Sequence, residues 1–223
     1  MNAERFSGRE RKIRSQNYYD RFSRYYDLLA EPSEKSLRNA ALKKINLKPG
    51  ESFLDIGSGT GQALINMAQS LQPKAYNFGL DISEGMNQVA KGKLNETNLL
   101  ERIFLVTGDA VNLPFQQSVF NAILMSFTLE LFPTYEITRV LKECKRVLRY
   151  EAKICVVGLN QVENPGLAVR IYEYLHRQFS HLIDCRPIDI SNSLQVAGFE
   201  VTDISRRQLW GLPVAIVVGV HKG

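Results

Sequence analysis

The sequence predicts an α/β fold built on a mostly parallel sheet with helices on both of its faces. Apolar segments of strand length alternate with helical segments from residue 52 to residue 159. These strands are almost continuously apolar, as expected for parallel strands that are covered on both faces. The first of them runs directly into a glycine-rich turn and a helix, an arrangement that indicates a ligand-binding loop.

The glycine-rich turn lies between the first predicted strand and the helix after it. Gly57, Gly59 and Gly61 alternate with small polar residues behind Asp55. Because glycine has no Cβ, such a turn brings backbone N–H groups close to a ligand, and the helix N-terminus favours an anionic group there. The spacing differs from the G-x-G-x-x-G pattern of dinucleotide sites. The turn alone therefore indicates a nucleotide site without identifying the nucleotide.

Three more strand ends carry acidic or small residues. Asp81 follows the second strand, where an acid can accept hydrogen bonds from ribose hydroxyls. Asp109 and Ala110 follow the third strand, where a carboxylate and a neighbouring N–H can bind the edge of an adenine. Ser126 ends the fourth strand. The four motifs in order are specific, whereas Asp81 alone would also suit a turn cap.

The remaining elements follow from hydrophobic periodicity and from the residues that begin or end helices. Strands are predicted over residues 52–56, 75–80, 103–107, 119–125, 153–159, 199–206 and 214–220. Helices are predicted over residues 14–29, 34–45, 60–71, 83–96, 135–149, 165–179 and 188–197. Pro32 is expected to end the first helix, and Ser83 is a suitable N-cap for the fourth. The basic face of helix 135–149 indicates a solvated surface rather than a nucleic-acid stripe.

With these motifs the chain resembles the class I S-adenosylmethionine-dependent methyltransferases. It is most similar to the branch that contains the C-methyltransferases of ubiquinone and menaquinone biosynthesis, over roughly residues 15–160. The resemblance implies a Rossmann-like, seven-stranded, mostly parallel sheet with helices on both faces and an antiparallel last hairpin. It also implies S-adenosyl-L-methionine as the cofactor.

The same resemblance assigns side chains to the bound cofactor. The methionine part would contact the glycine turn, and the adenine would lie against apolar side chains and the third strand end. The residues so implied are Tyr25, Asp55, Gly57, Gly59, Thr60, Asp81, Ile82, Met86, Asp109, Ala110 and Ser126. Tyr25 belongs to a tyrosine-rich helix that these families fold over the cofactor, and Tyr19 in the same helix is assigned to the acceptor.

The chain departs from the family pattern at the turn before the fifth strand. Members often have Pro-Gly-Gly at this turn, whereas this chain has Arg149, Tyr150, Glu151 and Ala152. Without a glycine at the helix end, we expect the turn to differ and the cofactor site to be unaffected.

Length and composition are consistent with one domain of 223 residues. We divide it into a basic arm with a helical cover at 1–48, a cofactor-binding core at 49–160, and acceptor-pocket helices with edge strands at 161–223. No apolar run approaches the roughly 20 residues of a membrane span, and the N-terminus is too charged for a signal peptide. A cytoplasmic location is therefore expected. The three cysteines lack a paired spacing, so neither a disulfide nor a metal site is predicted.

The positive charge is concentrated at the N-terminus. Residues 1–24 carry seven basic and three acidic side chains, which gives +4 of the net +5. One interpretation is a solvated arm. The other is a transient contact with an anionic membrane surface, to which each basic residue contributes about 1 kcal/mol. Nothing in the sequence specifies an oligomeric state.

Few catalytic side chains are expected, because methyl transfer from a sulfonium is an in-line displacement that depends mainly on positioning. Glu130, beyond the fourth strand, and His181 are the candidate bases. Alternatively, Glu130 is only a carboxylate at the start of a helix, and His181 is only a structural residue. Arg186 is the candidate for binding an anionic group of the substrate. Cys185 has no evident paired base and is not expected to act as a nucleophile.

The sequence therefore favours an S-adenosylmethionine-dependent methyltransferase acting on a small-molecule or lipid-like acceptor, such as a quinone-type ring or an amine. The alternatives are an RNA or other nucleic-acid methyltransferase and a non-catalytic cofactor-binding protein. A nucleic-acid partner is disfavoured because Ser126, Phe127 and Thr128 replace the Asn/Asp-Pro-Pro-aromatic signature of base N-methylating enzymes. The glycine spacing disfavours a nicotinamide oxidoreductase.

Overall fold

The computed structural model describes residues 31–70, 76–161 and 186–222. The described helices are α1 (Glu31–Ile45), α2 (Gln62–Ser70), α3 (Glu84–Glu96), α4 (Thr134–Val147) and α5 (Ile190–Val196). The described strands are β1 (Phe53–Ile56), β2 (Asn77–Asp81), β3 (Ile103–Thr107), β4 (Phe120–Ser126), β5 (Leu148–Leu159), β6 (Phe199–Leu209) and β7 (Leu212–His221). A short 3-10 helix, Leu129–Leu131, follows β4.

The strands form one seven-stranded sheet in the order β3-β2-β1-β4-β5-β7-β6. The pairs from β3 to β5 are parallel, and β7 is antiparallel to both β5 and β6. The predicted mostly parallel sheet with an antiparallel last hairpin is therefore confirmed. Chain order reverses between β1 and β4, and ligands of open α/β sheets bind at such a point, outside the carboxyl ends of the strands.

Alternate residues of the central strands pack into two apolar cores, one on each face of the sheet. Phe53 and Leu124 pack with α1, α2 and α3, whereas Leu54 and Ile123 pack with α4 and α5. The amphipathic α4 buries Ile137, Val140, Leu141, Cys144 and Val147. Both faces of the parallel strands are thus covered, which explains why these strands are almost wholly apolar in sequence.

Several predicted boundaries need correction. The helix predicted over 34–45 begins earlier, because α1 starts at Glu31 and holds Pro32 in its first turn, where no intrahelical N–H is required. The helix predicted over 135–149 is α4, which ends at Val147, and β5 starts at Leu148 instead of residue 153. The last hairpin is longer than predicted and extends to Leu209 on one side and from Leu212 on the other. The predicted helices 14–29 and 165–179 lie outside the described residues.

The turn before β5 forms without the glycine that the family often has there. Glu151 adopts φ of 61°, a left-handed conformation that glycine takes without steric cost. Around it the pairing of β4 and β5 shifts, since Phe120 pairs with Leu148 while Ala122 pairs with Lys153. The turn therefore places a non-glycine residue in a conformation that glycine would adopt without strain.

Two cysteines lie in the apolar cores. Cys144 on α4 and Cys155 on β5 are both fully buried. Burial disfavours the thiolate and so raises the pKa of both thiols, that of Cys155 to about 12. Cys185 lies outside the described residues. None of the helices within the described ranges is long and apolar enough to span a membrane.

Candidate active site

An open cleft lies at the carboxyl ends of the parallel strands. Its walls come from the loops after β1, β2, β3 and β4 and from one side of α1. The residues that line it are Glu34, Arg38, Asp55, Ile56, Gly57, Ser58, Gly59, Thr60, Gln62, Ala63, Leu80, Asp81, Ile82, Met86, Gly108, Asp109, Ala110, Ser126, Phe127, Thr128, Leu131 and Phe132. Ten of the eleven residues assigned to the cofactor from sequence are therefore brought together; the other, Tyr25, lies outside the described residues.

The glycine turn after β1 requires two of its glycines for different reasons. Gly57 has φ of +70°, and a Cβ there would lie 2.3 Å from the Thr128 hydroxyl oxygen, so only glycine lets the β4 loop approach. Gly59 has φ of +53°, and a Cβ there would meet nothing within 4 Å. The backbone at Gly59 is thus open toward the cleft, as a ligand-binding turn must be.

Asp81, at the end of β2, holds this turn in place. One of its carboxylate oxygens accepts a hydrogen bond of 2.8 Å from the Gly59 N–H, and the other accepts one of 2.9 Å from the Ser83 N–H. Ser83 in turn caps α3 by accepting a bond from the Met86 N–H. The same carboxylate therefore fixes the first loop relative to the second and faces the cleft between them.

Asp55 is the most deeply buried carboxyl of the cleft, with 3% of its surface exposed. Its pKa is raised to about 7, mainly by desolvation; the Arg38 guanidinium lowers this pKa in part, and charge repulsion from Asp81 raises it. Arg38 projects from α1 and is itself buried. Because the pKa of Asp55 lies near 7, a cationic ligand group bound beside it would convert it to the ionised form, which a nearby positive charge favours.

The loop after β3 carries Asp109 and Ala110 and is fastened to α4. The Arg146 guanidinium donates to the Phe115 carbonyl at 2.8 Å and to the Leu113 carbonyl at 3.0 Å. Glu143 accepts from the Leu113 N–H at 2.9 Å and forms a 2.7 Å ion pair with Arg146. The Arg146 hydrogen bond holds the pKa of Glu143 below its usual range. On the basic face of α4, Arg146 thus holds this loop, while the exposed positions of that face agree with the predicted solvated surface.

The end of β4 supplies a polar atom without a partner. The Oγ of Ser126 is buried and accepts or donates no hydrogen bond among the described residues. Next to it, Phe127 is held at φ of 52°, with its N–H bonded to the Val157 carbonyl at 2.7 Å. Strained backbone of this kind is concentrated at ligand sites. An orphaned hydroxyl facing a cleft is a natural hydrogen-bonding point for a bound polar group.

Glu130, the predicted base after β4, is 1% exposed and is not among the described residues that line the cleft. One carboxyl oxygen accepts from the Leu159 N–H at 3.2 Å, while Oε2 has no partner in the described part of the chain. A Cβ on Gly158 would lie 2.7 Å from that oxygen. Burial raises the pKa of Glu130 to about 7. Its role as a base stays a prediction.

Of the predicted acceptor residues, only Arg186 lies within the described chain. Its guanidinium donates at 2.8 Å to the carbonyl of Phe132, which lines the cleft. Its assignment to the substrate also stays a prediction. Tyr19 and His181 lie outside the described residues.

Arg38 and Phe127 are two of the cleft residues that were not assigned from the sequence. Arg38 was not assigned because helix α1 is adjacent to the sheet only in three dimensions, and its single buried arginine has no motif around it. Phe127 was noted only as part of a strand end. A basic residue on the apolar side of an N-terminal helix was the one signal that could have drawn attention to Arg38.

The residues present fit a sulfonium nucleoside. Three carboxylates, Asp55, Asp81 and Asp109, face one cleft, together with the open Gly59 turn and the orphaned Ser126 hydroxyl. The apolar side chains of Ile82 and Met86 lie on the same wall. Carboxylates suit an ammonium group and ribose hydroxyls, and apolar side chains suit the face of an adenine.

Residues 53–151 match a family model described as a methyltransferase domain. The chain is also 31% identical over 161 residues to a demethylmenaquinone methyltransferase of Lactobacillus johnsonii. Residues 53–151 are a methyltransferase domain. The resemblance and the family cofactor inferred from the four motifs are thereby confirmed. The match to the Lactobacillus protein covers 69% of this chain and 65% of that relative, slightly under two thirds of the relative's length.

Solved structures share the fold of this chain. An S-adenosylmethionine-dependent methyltransferase from Aquifex aeolicus matches with a TM-score of 0.66 at 19% identity, over 89% of this chain and 98% of that one. A [4+2]-cyclase matches with a TM-score of 0.68 at 18% identity, over 84% and 81%. Since one of these is a cyclase, the fold by itself does not specify the reaction.

Proposed function

We propose that this protein transfers a methyl group from S-adenosyl-L-methionine to a small, lipid-like acceptor with a quinone-type ring. The observation that supports the cofactor is the convergence of Asp55, Asp81 and Asp109, from three successive strand ends, on one cleft. The support for the acceptor comes from the relatives named demethylmenaquinone methyltransferase.

When bound, the cofactor supplies a methyl group on a positively charged sulfur. The chain's own residues bind and orient it: Asp55 would accept hydrogen bonds from the ammonium group, Asp81 from the ribose and Asp109 from the adenine. Ile82 and Met86 would enclose the adenine. The protein's contribution is positioning, since holding two reactants in line at about 3–3.5 Å and away from water can lower a barrier by several kcal/mol.

The acceptor would enter beside the end of β4. Phe127, Leu131 and Phe132 form an apolar stretch of the cleft wall there. Apolar and aromatic side chains suit a flat, weakly polar ring better than a charged nucleic-acid strand. This part of the wall supports a quinone-type acceptor over an RNA.

Methylation of a ring carbon also releases a proton, so a base is part of the proposal. Glu130, with its pKa near 7, and His181 are the candidates. Glu130→Gln would lower kcat without changing the affinity for S-adenosylhomocysteine if its carboxyl takes the proton. An unchanged kcat would leave His181 as the candidate.

A lipid-like acceptor also implies a place of action. We propose a cytoplasmic protein that works peripherally at the membrane, with the basic segment 1–24 contributing a transient contact. That segment lies outside the described residues.

Two measurements test the proposal. Calorimetry with S-adenosylmethionine, S-adenosylhomocysteine and NAD should show binding of the first two only, and Asp109→Asn should weaken it. Asp189→Asn, which alters the N-cap of α5, is the matched control.

Transfer of a labelled methyl group should then be followed into demethylmenaquinone, phospholipid and RNA. Label in RNA alone would contradict the acceptor, and cofactor binding without any labelled product would favour a non-catalytic role.

A further inference from the structure

The turn between β6 and β7 presents a tryptophan to solvent. Trp210 and Gly211 have φ of 51° and 79°, the left-handed pair of a tight two-residue hairpin turn. Trp210 is 71% exposed, the largest exposure of any big apolar side chain in the described residues. Leu209 and Leu212, which pair across the turn, are only half-buried. Together these three side chains form an exposed apolar cluster, and such clusters are candidate interaction sites.

The register of the sheet places this tip at the same edge as the cleft. Leu159, the last residue of β5, pairs with Val214 near the start of β7. The turn at 210–211 therefore projects beyond the carboxyl end of the parallel strands, where the glycine turn and the end of β4 also lie. An acceptor that enters the cleft approaches from this side.

The tip is also basic. Arg206 and Arg207 are exposed on β6 next to the turn, and no acidic residue occurs between Ile204 and Val220. Asp203, the nearest acid along β6, is occupied by a 2.7 Å ion pair with Lys44. An exposed tryptophan flanked by arginines and leucines has the composition found at the boundary between water and lipid, where indole rings lie at the headgroup level.

We propose that the hairpin tip, residues 206–212, docks on an anionic lipid surface. Trp210 enters the headgroup layer, Arg206 and Arg207 contact anionic headgroups, and the cleft edge faces the membrane. A lipid-like acceptor then reaches the cleft without crossing bulk water. Two observations favour a lipid surface over a protein surface: the tip is positively charged, and it lies at the same end of the sheet as the cleft. The delivery of a lipid-like acceptor to the cleft rests on the proposed function.

The chain offers its own reporter, because Trp210 is its single tryptophan. The full-length protein is mixed with vesicles of phosphatidylglycerol and phosphatidylcholine, or of phosphatidylcholine alone. Anionic vesicles should shift the emission of Trp210 to shorter wavelength, and brominated lipid should quench it. Phosphatidylcholine alone should give little change.

Variants separate the two parts of the tip, with binding measured by co-sedimentation. Arg206→Gln with Arg207→Gln should weaken binding to anionic vesicles about 25-fold, or about fivefold for each arginine. Trp210→Asn should weaken it about tenfold while keeping the turn, since asparagine tolerates a left-handed φ. Arg149→Gln with Lys222→Gln, which removes the same charge near the opposite edge of the sheet, should have less than a twofold effect.

Three results would overturn the proposal. One is co-sedimentation without any change in Trp210 emission, which would assign the contact to residues 1–24. A second is equal binding to neutral and anionic vesicles, and a third is an Arg206/Arg207 variant that binds like the wild type. Because none of these readouts requires methyl transfer, they are independent of the proposed reaction. The proposed reaction is tested separately with a water-soluble short-chain quinone, which needs no membrane. Absence of methyl transfer to that quinone would contradict the reaction and not the docking.

Discussion

The carboxylate of Asp81 accepts a hydrogen bond from the backbone N–H of Gly59, and these two residues belong to the loops after different strands. The second carboxylate oxygen accepts from the Ser83 N–H. The acid that the sequence assigns to the ribose therefore also sets the shape of the glycine turn. Any ribose hydroxyl must use the lone pairs that these two bonds leave.

Replacing Asp81 by asparagine should consequently affect both the loop and the ligand. An amide has only one acceptor oxygen, so its NH₂ group would face the N–H of either Gly59 or Ser83. Hydrogen bonds to a charged acceptor contribute roughly 1.5–3 kcal/mol. We expect S-adenosylhomocysteine to bind at least about tenfold more weakly in calorimetry, with a lower Tm for the unliganded variant.

The matched control is Glu200→Gln, an exposed acid on β6 away from the cleft. It should change neither quantity. Wild-type affinity in Asp81→Asn would contradict both the ribose assignment and the supporting role of this carboxylate.

Arg146 is expected to act on adenine recognition from a distance. Its guanidinium binds the carbonyls of Leu113 and Phe115, in the loop that also carries Asp109. In Arg146→Ala this loop loses both bonds and the ion pair with Glu143. We expect about a tenfold loss of affinity for S-adenosylhomocysteine, but a smaller loss for its inosine analogue, which lacks the adenine amino group.

If Arg146 has only a structural role, Arg146→Ala would lower the Tm and weaken the binding of both ligands equally. The ratio of the two affinities is therefore the deciding readout, measured below the Tm of the variant. Lys145→Ala is the control, because Lys145 lies beside Arg146 on α4 but donates to the Gly198 carbonyl at 2.9 Å, far from this loop in sequence. It should leave the ratio unchanged.

Glu130 should make the stability of the protein depend on pH. Its pKa is raised from 4.5 to about 7 by burial. Between these values the unfolded chain has lost the proton and the folded chain has kept it, so the free energy of unfolding falls as pH rises. The fall, relative to Glu130→Gln, should be on the order of 3 kcal/mol from pH 4.5 to pH 7, because one pKa unit corresponds to 1.36 kcal/mol.

Urea unfolding at several pH values measures this difference directly. Asp55 titrates in both proteins and therefore cancels from the comparison. Glu96→Gln, an exposed acid at the end of α3, should run parallel to the wild type. A constant difference between wild type and Glu130→Gln across this range would mean that the Glu130 carboxyl is ionised in the folded protein.

The sequence predicts those site residues whose positions follow from the strand that precedes them. Gly57, Asp81 and Asp109 each stand at the end of an apolar strand, and strand ends of a parallel sheet necessarily meet at one edge. Arg38 could not be found in this way, because its position depends on how α1 packs across the sheet. The backbone contacts of Arg146 were missed for the same reason, since they join α4 to a loop about 30 residues away in sequence.

Glu151 shows how a local departure from the family pattern is absorbed. The sequence indicated an altered turn but not that one residue would take the left-handed conformation. Four residues of β5, 149–152, stand opposite one residue of β4 between the pairs Phe120 with Leu148 and Ala122 with Lys153. The extra residues form a bulge that φ of 61° at Glu151 makes possible.

Glu151→Gly should therefore stabilise the protein. A left-handed conformation costs a non-glycine residue about 1–2 kcal/mol, and the greater freedom of glycine in the unfolded chain offsets part of this gain. A net gain of about 1 kcal/mol corresponds to a rise in Tm of about 2–4 °C for a chain of this size. The ion pair between Glu151 and Lys222 is 3.5 Å long and exposed, so removing it costs little. Glu151→Ala removes the same ion pair without relieving the strain, and its Tm should not rise. A glycine variant no more stable than the alanine variant would show that the backbone at residue 151 is not strained.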